Sequence, residues 1–337
     1  MRLRTEYLSM ELRSPLVAAP SPLTKTLDNL RRMEDGGIGA VVLYSLFQEQ
    51  IEFGGSEVDH FLESNGGAYQ DLKDQDEWPR NDKDGPQEYL EYLRSAKEAL
   101  DVPVMASLNG RSLSSWVLLA RNIEQTGADA LELNVYSVPG DPSLTGEKME
   151  QNLFDIVRAV RSNTKLPLVV KMSPYFSSPA NVAFRLVQEG ADGLVLFNRF
   201  YQPDIQLEDL SVEPNILLST SHSSRLALRW IALLSGRLDA SLAASGGVLT
   251  GADAAKMILA GADITQLCSA LLRNGVDEIQ KVEKSLLEWV DKLGFADIQA
   301  MRSSLSQVHL DEPELFERAQ YMRGLKTYDP LQDFRKS

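Results

Sequence analysis

The run from Ser241 to Leu272, SLAASGGVLTGADAAKMILAGADITQLCSALL, constrains the fold more than any other stretch of this chain. It opens with a short apolar strand, Leu242 to Ala244, that breaks at Gly246-Gly247. Thr250, Gly251 and Asp253 then start an amphipathic helix, with Ala254, Met257, Ile258 and Ala260 on one face. Gly261-Ala262-Asp263 turns the chain into a second apolar strand, Ile264 to Leu267, which ends at Cys268-Ser269-Ala270. A βαβ unit with small, amide-rich corners at both strand ends has the chemistry to receive a phosphate. Glycines let backbone N–H groups approach an anion, and a hydroxyl adds a donor. In a (β/α)₈ barrel such a site lies after strands seven and eight. Ordinary tight loops are the plainer alternative.

Upstream, the same alternation repeats. Leu3 to Tyr7 and Met10 to Arg13 flank Leu8-Ser9, which predicts a hairpin closing a barrel floor. Apolar strands follow at Leu16–Ala19, Ala40–Leu43, Val104–Leu108, Ala130–Asn134, Leu168–Met172 and Gly193–Phe197. Helices are expected between them at Leu27–Asp35, Pro86–Leu100, Leu113–Thr126, Glu150–Asn163, Pro179–Glu189 and Arg225–Leu234. Gly275–Leu293 reads as the last barrel helix, and the remainder as a helical tail packed on the outside. Gly-Ala-Asp at 127, 190 and 261 lies each time between a helix and a strand, whereas the copy at 251 opens a helix. The glycine suits a helix C-cap, and the aspartate can brace the start of the next strand.

Eight strands alternating with helices argue for an α/β fold, a (β/α)₈ TIM barrel. A doubly wound sheet is the runner-up, but no GxGxxG follows the first strand. The expected domain is single, residues 1–337. It has an N-terminal hairpin (1–14), long loop insertions after strands two (47–85) and six (198–219), and a C-terminal extension (294–337).

Charge narrows the partners. Lys+Arg 34 against Asp+Glu 48 gives a net charge of −14, which disfavours nucleic acid and anionic lipid. One cysteine excludes an internal disulfide and an iron–sulfur cluster held by this chain alone. Only three histidines, with no HxxxH pair among them, argue against a zinc site, so no metal is expected. Without a signal-peptide core or a membrane-length apolar run, the chain reads as soluble and cytoplasmic.

Barrel active sites lie at the C-terminal strand ends. Here those ends carry Ala19-Pro20-Ser21, Tyr44-Ser45, Asn109, Asn134 to Pro139, Lys171, Asn198, Gly246-Gly247 and Ser269-Ala270. The set is rich in amides and holds one cation. It suits a neutral, planar, multiply hydrogen-bonded ligand with a phosphate at one end, such as flavin mononucleotide (FMN). Lys171 ends the apolar run Leu166-Pro-Leu-Val-Val, which holds no other charge, so it either stabilises negative charge at the flavin N1–C2=O edge or snorkels to solvent. Asn134 and Asn198 offer donor and acceptor to an imide or carboxylate edge, or tie down their own loops. Asn109 meets the ring or makes the turn before Gly110. Glu132 faces a partner inside the barrel or forms a structural ion pair. Ser137 acts as general base only if desolvated and hydrogen-bonded.

With LELN at 131–134, VVKMSP at 169–174 and the GG…TGADAAKMILAGA…SAL run, the chain resembles the dihydroorotate dehydrogenase family of FMN barrels, from Pro15 to about Leu272. The resemblance implies FMN phosphate on Gly246, Gly247, Ser269 and Ala270. It also implies Lys171 at the flavin N1 edge, Ala19 and Ser21 along the ring, and Asn134 and Asn198 facing substrate. The implied reaction oxidises dihydroorotate, a step of pyrimidine biosynthesis, with Ser137 nearest the position of the family's base. The soluble members imply a homodimer. Two segments depart from the family: Val135-Tyr-Ser-Val-Pro-Gly140 is one residue longer and has glycine for a substrate-binding asparagine, and Tyr44-Ser45 replaces a Lys-Thr pair. Rival readings are an FMN oxidoreductase acting on another cyclic amide or enone, and a flavoprotein electron-transfer subunit.

Overall fold

The structure is a computed structural model that describes residues 2–47, 86–110, 112–208, 210–213 and 217–328. All but the first residue of the expected 47–85 insertion, including the family-loop candidate Asn65-Gly66-Gly67, therefore lies outside the described residues. Eight parallel strands close a ring: β3 (Leu16–Ala18), β4 (Ala40–Phe47), β5 (Val104–Asn109), β6 (Ala130–Asn134), β7 (Leu168–Met172), β8 (Gly193–Leu196), β11 (Ser241–Ser245) and β12 (Ile264–Leu267). The last strand pairs with the first, Gln266 beside Val17, which closes a TIM barrel and excludes the open doubly wound sheet.

Helices cover the outside: α1 (Leu27–Asp35), α2 (Pro86–Ala99), α3 (Leu113–Glu124), α4 (Gly146–Arg161), α5 (Pro179–Gln188), α6 (Ser224–Leu234) and α7 (Gly251–Ala260). Each buries one face against the strands, as Leu153, Phe154, Val157 and Val160 do in α4. Caps fix several of their first turns: Thr26, Ser112, Thr145 and Thr250 each accept a backbone N–H three residues on.

The N-terminal hairpin, β1 (Thr5–Tyr7) with β2 (Met10–Leu12), turns through Leu8 and Ser9 at φ 53° and 59°. Tyr7, Leu8 and Leu12 are buried against inward side chains of the barrel strands, among them Val17, Val42, Met105, Ala130, Val169, Val195 and Ile264. This apolar plug is the barrel floor.

The Gly-Ala-Asp turns differ from expectation in one respect. Their glycines do take left-handed φ, 82°, 102° and 119°. Each aspartate, however, braces the strand before its own: Asp129 accepts from Val104 N, Asp192 from Leu168 N and Asp263 from Leu242 N, all at 2.7 Å. Parallel register explains this, because the start of each strand lies beside the start of its neighbour, and the aspartate N–H donates back to the same residue's carbonyl. Lys97, Arg161 and Arg302 pair with the three carboxylates.

The last barrel helix, expected over Gly275–Leu293, is α9 (Glu278–Lys292), and an additional short helix, α8 (Ser269–Asn274), precedes it, ended by Gly275 at φ 82°. The tail departs further from expectation. After the short α10 (Ile298–Met301), the tail helix α11 (Pro313–Lys326) buries no residue. Glu317 ties it to Gln307 and Arg229, while Leu315, Tyr321, Met322 and Leu325 stay exposed. The insertion after β8 contains a small hairpin, β9 (Asp204–Gln206) with β10 (Ser211–Glu213). Among the described residues no helix is long and apolar enough to cross a membrane.

Candidate active site

Successive inward positions on a strand are two residues apart. One step above the apolar floor, Met105 gives way to Ser107, Ala130 to Glu132, Val169 to Lys171, and Ile264 to Gln266. These four are buried, Lys171 at 8% exposure and Glu132 and Gln266 at 2% each. Lys171 Nζ donates to Glu132 Oε1 and to Gln266 Oε1, both at 3.2 Å. Gln266 Nε2 donates to Glu132 Oε2 at 2.6 Å, closing a ring of three. Lys171 therefore does not snorkel to solvent, and Glu132 has its partner inside the barrel.

A second step up reaches the mouth. Asn198 Nδ2 donates to Asn134 Oδ1 at 2.6 Å, and Asn134 Nδ2 reaches Ser45 Oγ at 3.4 Å. Ser45 Oγ in turn shares a hydrogen bond with Ser107 Oγ at 2.7 Å. Ser45 takes this place because β4 is irregular between Val42 and Ser45. At that height the backbone N–H and C=O of Ser107 both bond the Tyr89 hydroxyl, whose burial pushes its pKa up. Asn109 is buried at the end of β5, level with Phe47.

Above the paired asparagines lies a cleft of about 270 Å³, lined by Phe47, Asn134, Tyr136, Asn198, Arg199, Phe200, Tyr201, Gln202 and Leu217. Tyr136 stacks on Phe200 at 4.5 Å and accepts a hydrogen bond from Tyr201 N, which joins the loops after β6 and β8. Ser137, next along, is exposed and does not line this cleft. Arg199 is the cleft's only lining cation among the described residues, and no lining residue is a carboxylate. The guanidinium donates to Ser219 Oγ at 2.7 Å.

Ser219 leads to the other end of the site. Its N–H donates to Ser269 Oγ at 3.0 Å, leaving the hydroxyl proton of Ser269 free for another acceptor. Gly246 and Gly247 follow β11 at φ 87° and 78°. A Cβ at Gly247 would meet Thr220 O at 2.5 Å, whereas one at Gly246 would face open space. Asp253 shapes this corner by accepting from Leu249 N, Thr250 N, Thr250 Oγ1 and Ser221 Oγ. Among the described residues, no carbonyl accepts from the N–H of Gly246, Gly247, Ser269 or Ala270. Free amides, a hydroxyl and a nearby guanidinium form a donor set that fits a phosphate monoester. Ala19, buried beside this corner, donates its N–H to Leu267 O, and Ser21 opens the short turn that follows. Burial pushes the Cys268 thiol up in pKa, with Lys171 and Arg199 opposing.

Asn134, Asn198, Lys171 and the glycine corner are visible in the sequence, whereas Gln266, Ser107, Ser219 and Arg199 join the site only in the fold. For Gln266 and Ser107 the signal was available as a polar residue two positions beyond an apolar one in ITQL and VMASLN.

The family model for dihydroorotate dehydrogenase matches residues 81–290, over half of the chain. Dihydroorotate dehydrogenase B (NAD(+)), catalytic subunit, of Pyrococcus abyssi is 26% identical, the match covering 88% of this chain and 97% of that protein. Its counterpart from Methanocaldococcus jannaschii is 25% identical, over 86% and 93%. NAD-dependent dihydropyrimidine dehydrogenase subunit PreA of Escherichia coli is 24% identical, over 88% of this chain and 74% of its own length. With the barrel, the phosphate-fitting corner and these matches together, the chain belongs to the dihydroorotate dehydrogenase family, FMN-dependent oxidoreductases that act on CH–CH groups.

Proposed function

We propose that this chain oxidises dihydroorotate to orotate, with FMN phosphate held by Gly246, Gly247, Ser269 and Ala270. In that arrangement Lys171 serves the flavin N1 edge, and Ala19, Ser21 and Asn109 line the ring. FMN, when bound, supplies the hydride acceptor. The observation that carries the substrate is the Asn134–Asn198 amide pair with Arg199 next in sequence, all lining one cleft. Two coupled amides present both donors and acceptors to a cyclic imide edge. Arg199 adds a cation for a carboxylate, with one of its donors occupied by Ser219.

Oxidising the C5–C6 bond removes a proton from C5 and a hydride from C6. Ser137 is the proposed base. It is exposed, so substrate has to cover it before its hydroxyl can take the C5 proton, and as it does so it has to pass its own proton to an adjoining water. The stacked Tyr136 and Phe200 are placed to form one wall of that enclosure.

A second reading is an uncharged cyclic amide of the dihydropyrimidine type, favoured by the similarity to PreA and by Tyr44-Ser45 and Gly140, which depart from the family. An anaerobic titration of the purified yellow protein separates the two. Dihydroorotate is expected to bleach the flavin bands. Bands that persist with dihydroorotate and bleach with a dihydropyrimidine would replace the first reading by the second.

A further inference from the structure

The ring of Glu132, Lys171 and Gln266 asks for an explanation that barrel closure does not supply. One step below it, the same strands close around an entirely apolar layer sealed by the hairpin. Burying an ion pair in place of well-packed apolar side chains is often neutral or unfavourable for stability. The trio is nonetheless nine-tenths or more buried, and its members lie 39, 95 and 134 positions apart in sequence. Each member is bonded to both others: the carboxylate takes one bond from each partner, and the Gln266 amide both accepts from Lys171 and donates to Glu132. Such an arrangement fixes where the ammonium sits and cancels much of its charge.

We infer that Glu132 and Gln266 are positioning residues for Lys171: they hold its ammonium beneath the flavin site and, by cancelling part of its charge, set how readily the bound flavin is reduced. The inference rests on the placement of FMN over Lys171 proposed above. A bare cation beside the N1–C2=O edge favours the electron-rich reduced ring, and a cation shared with a carboxylate favours it less. Glu132 is thereby a brake on reduction, and Gln266 fixes the direction in which that brake acts.

The test equilibrates flavin-loaded protein anaerobically with a redox dye at a fixed dye ratio and reads the ratio of reduced to oxidised flavin. Glu132→Gln is expected to raise that ratio roughly tenfold, because the Lys171 charge is left uncancelled. Glu132→Asp keeps the charge and should stay within about threefold of the parent. Gln266→Met has similar volume and removes one acceptor from the ammonium. It should shift the ratio in the same direction by about two- to threefold, and it decides the matter if Glu132→Gln does not fold. A ratio that is unchanged or lowered in the variants that hold flavin would overturn the inference. Dihydroorotate is absent from the assay, so a wrong substrate does not affect the result. A parent protein that is colourless and that FMN cannot reconstitute would overturn the cofactor placement, and this inference with it.

Discussion

Along β6 the inward side chains run Ala130, Glu132, Asn134; along β7 they run Val169, Lys171. The lowest members belong to a floor that is apolar throughout and sealed by Tyr7, Leu8 and Leu12, Glu132 and Lys171 to a polar layer above it, and Asn134 to a mouth where inward groups again bond one another. The same backbone and the same two-residue period build both ends. What separates them is desolvation. The floor gains free energy from every buried carbon, whereas the mouth holds polar groups that are tolerable only because each has a partner. Damage should therefore show as lost stability at the floor and as altered chemistry at the mouth, with the layer between them sensitive in both respects.

The largest effect is expected in that intermediate layer. Lys171→Met strands the Glu132 carboxylate in a buried site, which should cost about 3–5 kcal/mol in urea unfolding of the flavin-free protein. A loss under about 1 kcal/mol would mean that water reaches the layer and that floor and mouth are less distinct than drawn. Next comes the floor itself. Leu12→Ala, at a site with no solvent exposure, should cost about 2–5 kcal/mol while leaving flavin content and turnover per bound flavin within about twofold. Turnover that falls in step with stability would join the two ends energetically. Asn198→Ala reverses the pattern: kcat/KM for the true substrate should drop by about ten- to a hundredfold, with stability changed by about 1 kcal/mol or less.

Legibility in sequence followed the same division. Apolar runs of four or five residues separated by amphipathic helices gave away the barrel, and the repeated Gly-Ala-Asp marked its lower turns. Lys171, Asn134 and Asn198 stand out because each is the polar residue at which an apolar run of the sequence ends. Gln266 and Ser107 sit within their strands, so a reading confined to strand ends passes over them. Their significance also depends on ring closure: nothing local to ITQL reveals that Gln266 faces Glu132, 134 positions away. Arg199 was overshadowed by Asn198 beside it, and only the fold shows it linked through Ser219 to the corner at Ser269. The aspartates of Gly-Ala-Asp brace the strand before the one they open, because parallel neighbours are set by register and not by chain order.

The smallest expected effect lies on the floor side, where the three bracing aspartates can be compared with one another. All three accept a strand amide and pair with a cation, but burial raises the pKa of Asp263 above its ordinary 3.8, and the Leu242 N–H and Arg302 only partly oppose that rise. A carboxyl whose folded-state pKa lies above its unfolded value contributes most when protonated. Its contribution is therefore present below about pH 3.8 and is lost as pH rises through the folded value. Asp263→Asn keeps an oxygen for Leu242 N and cannot ionise. Across that window the wild type should lose stability relative to the variant, with a slope of at most about 1.4 kcal/mol per pH unit. Urea midpoints of both proteins at closely spaced pH values would measure the difference. A difference that grows in the wild type's favour as pH rises would show that Arg302 dominates, and that the floor, like the mouth, is held by charge.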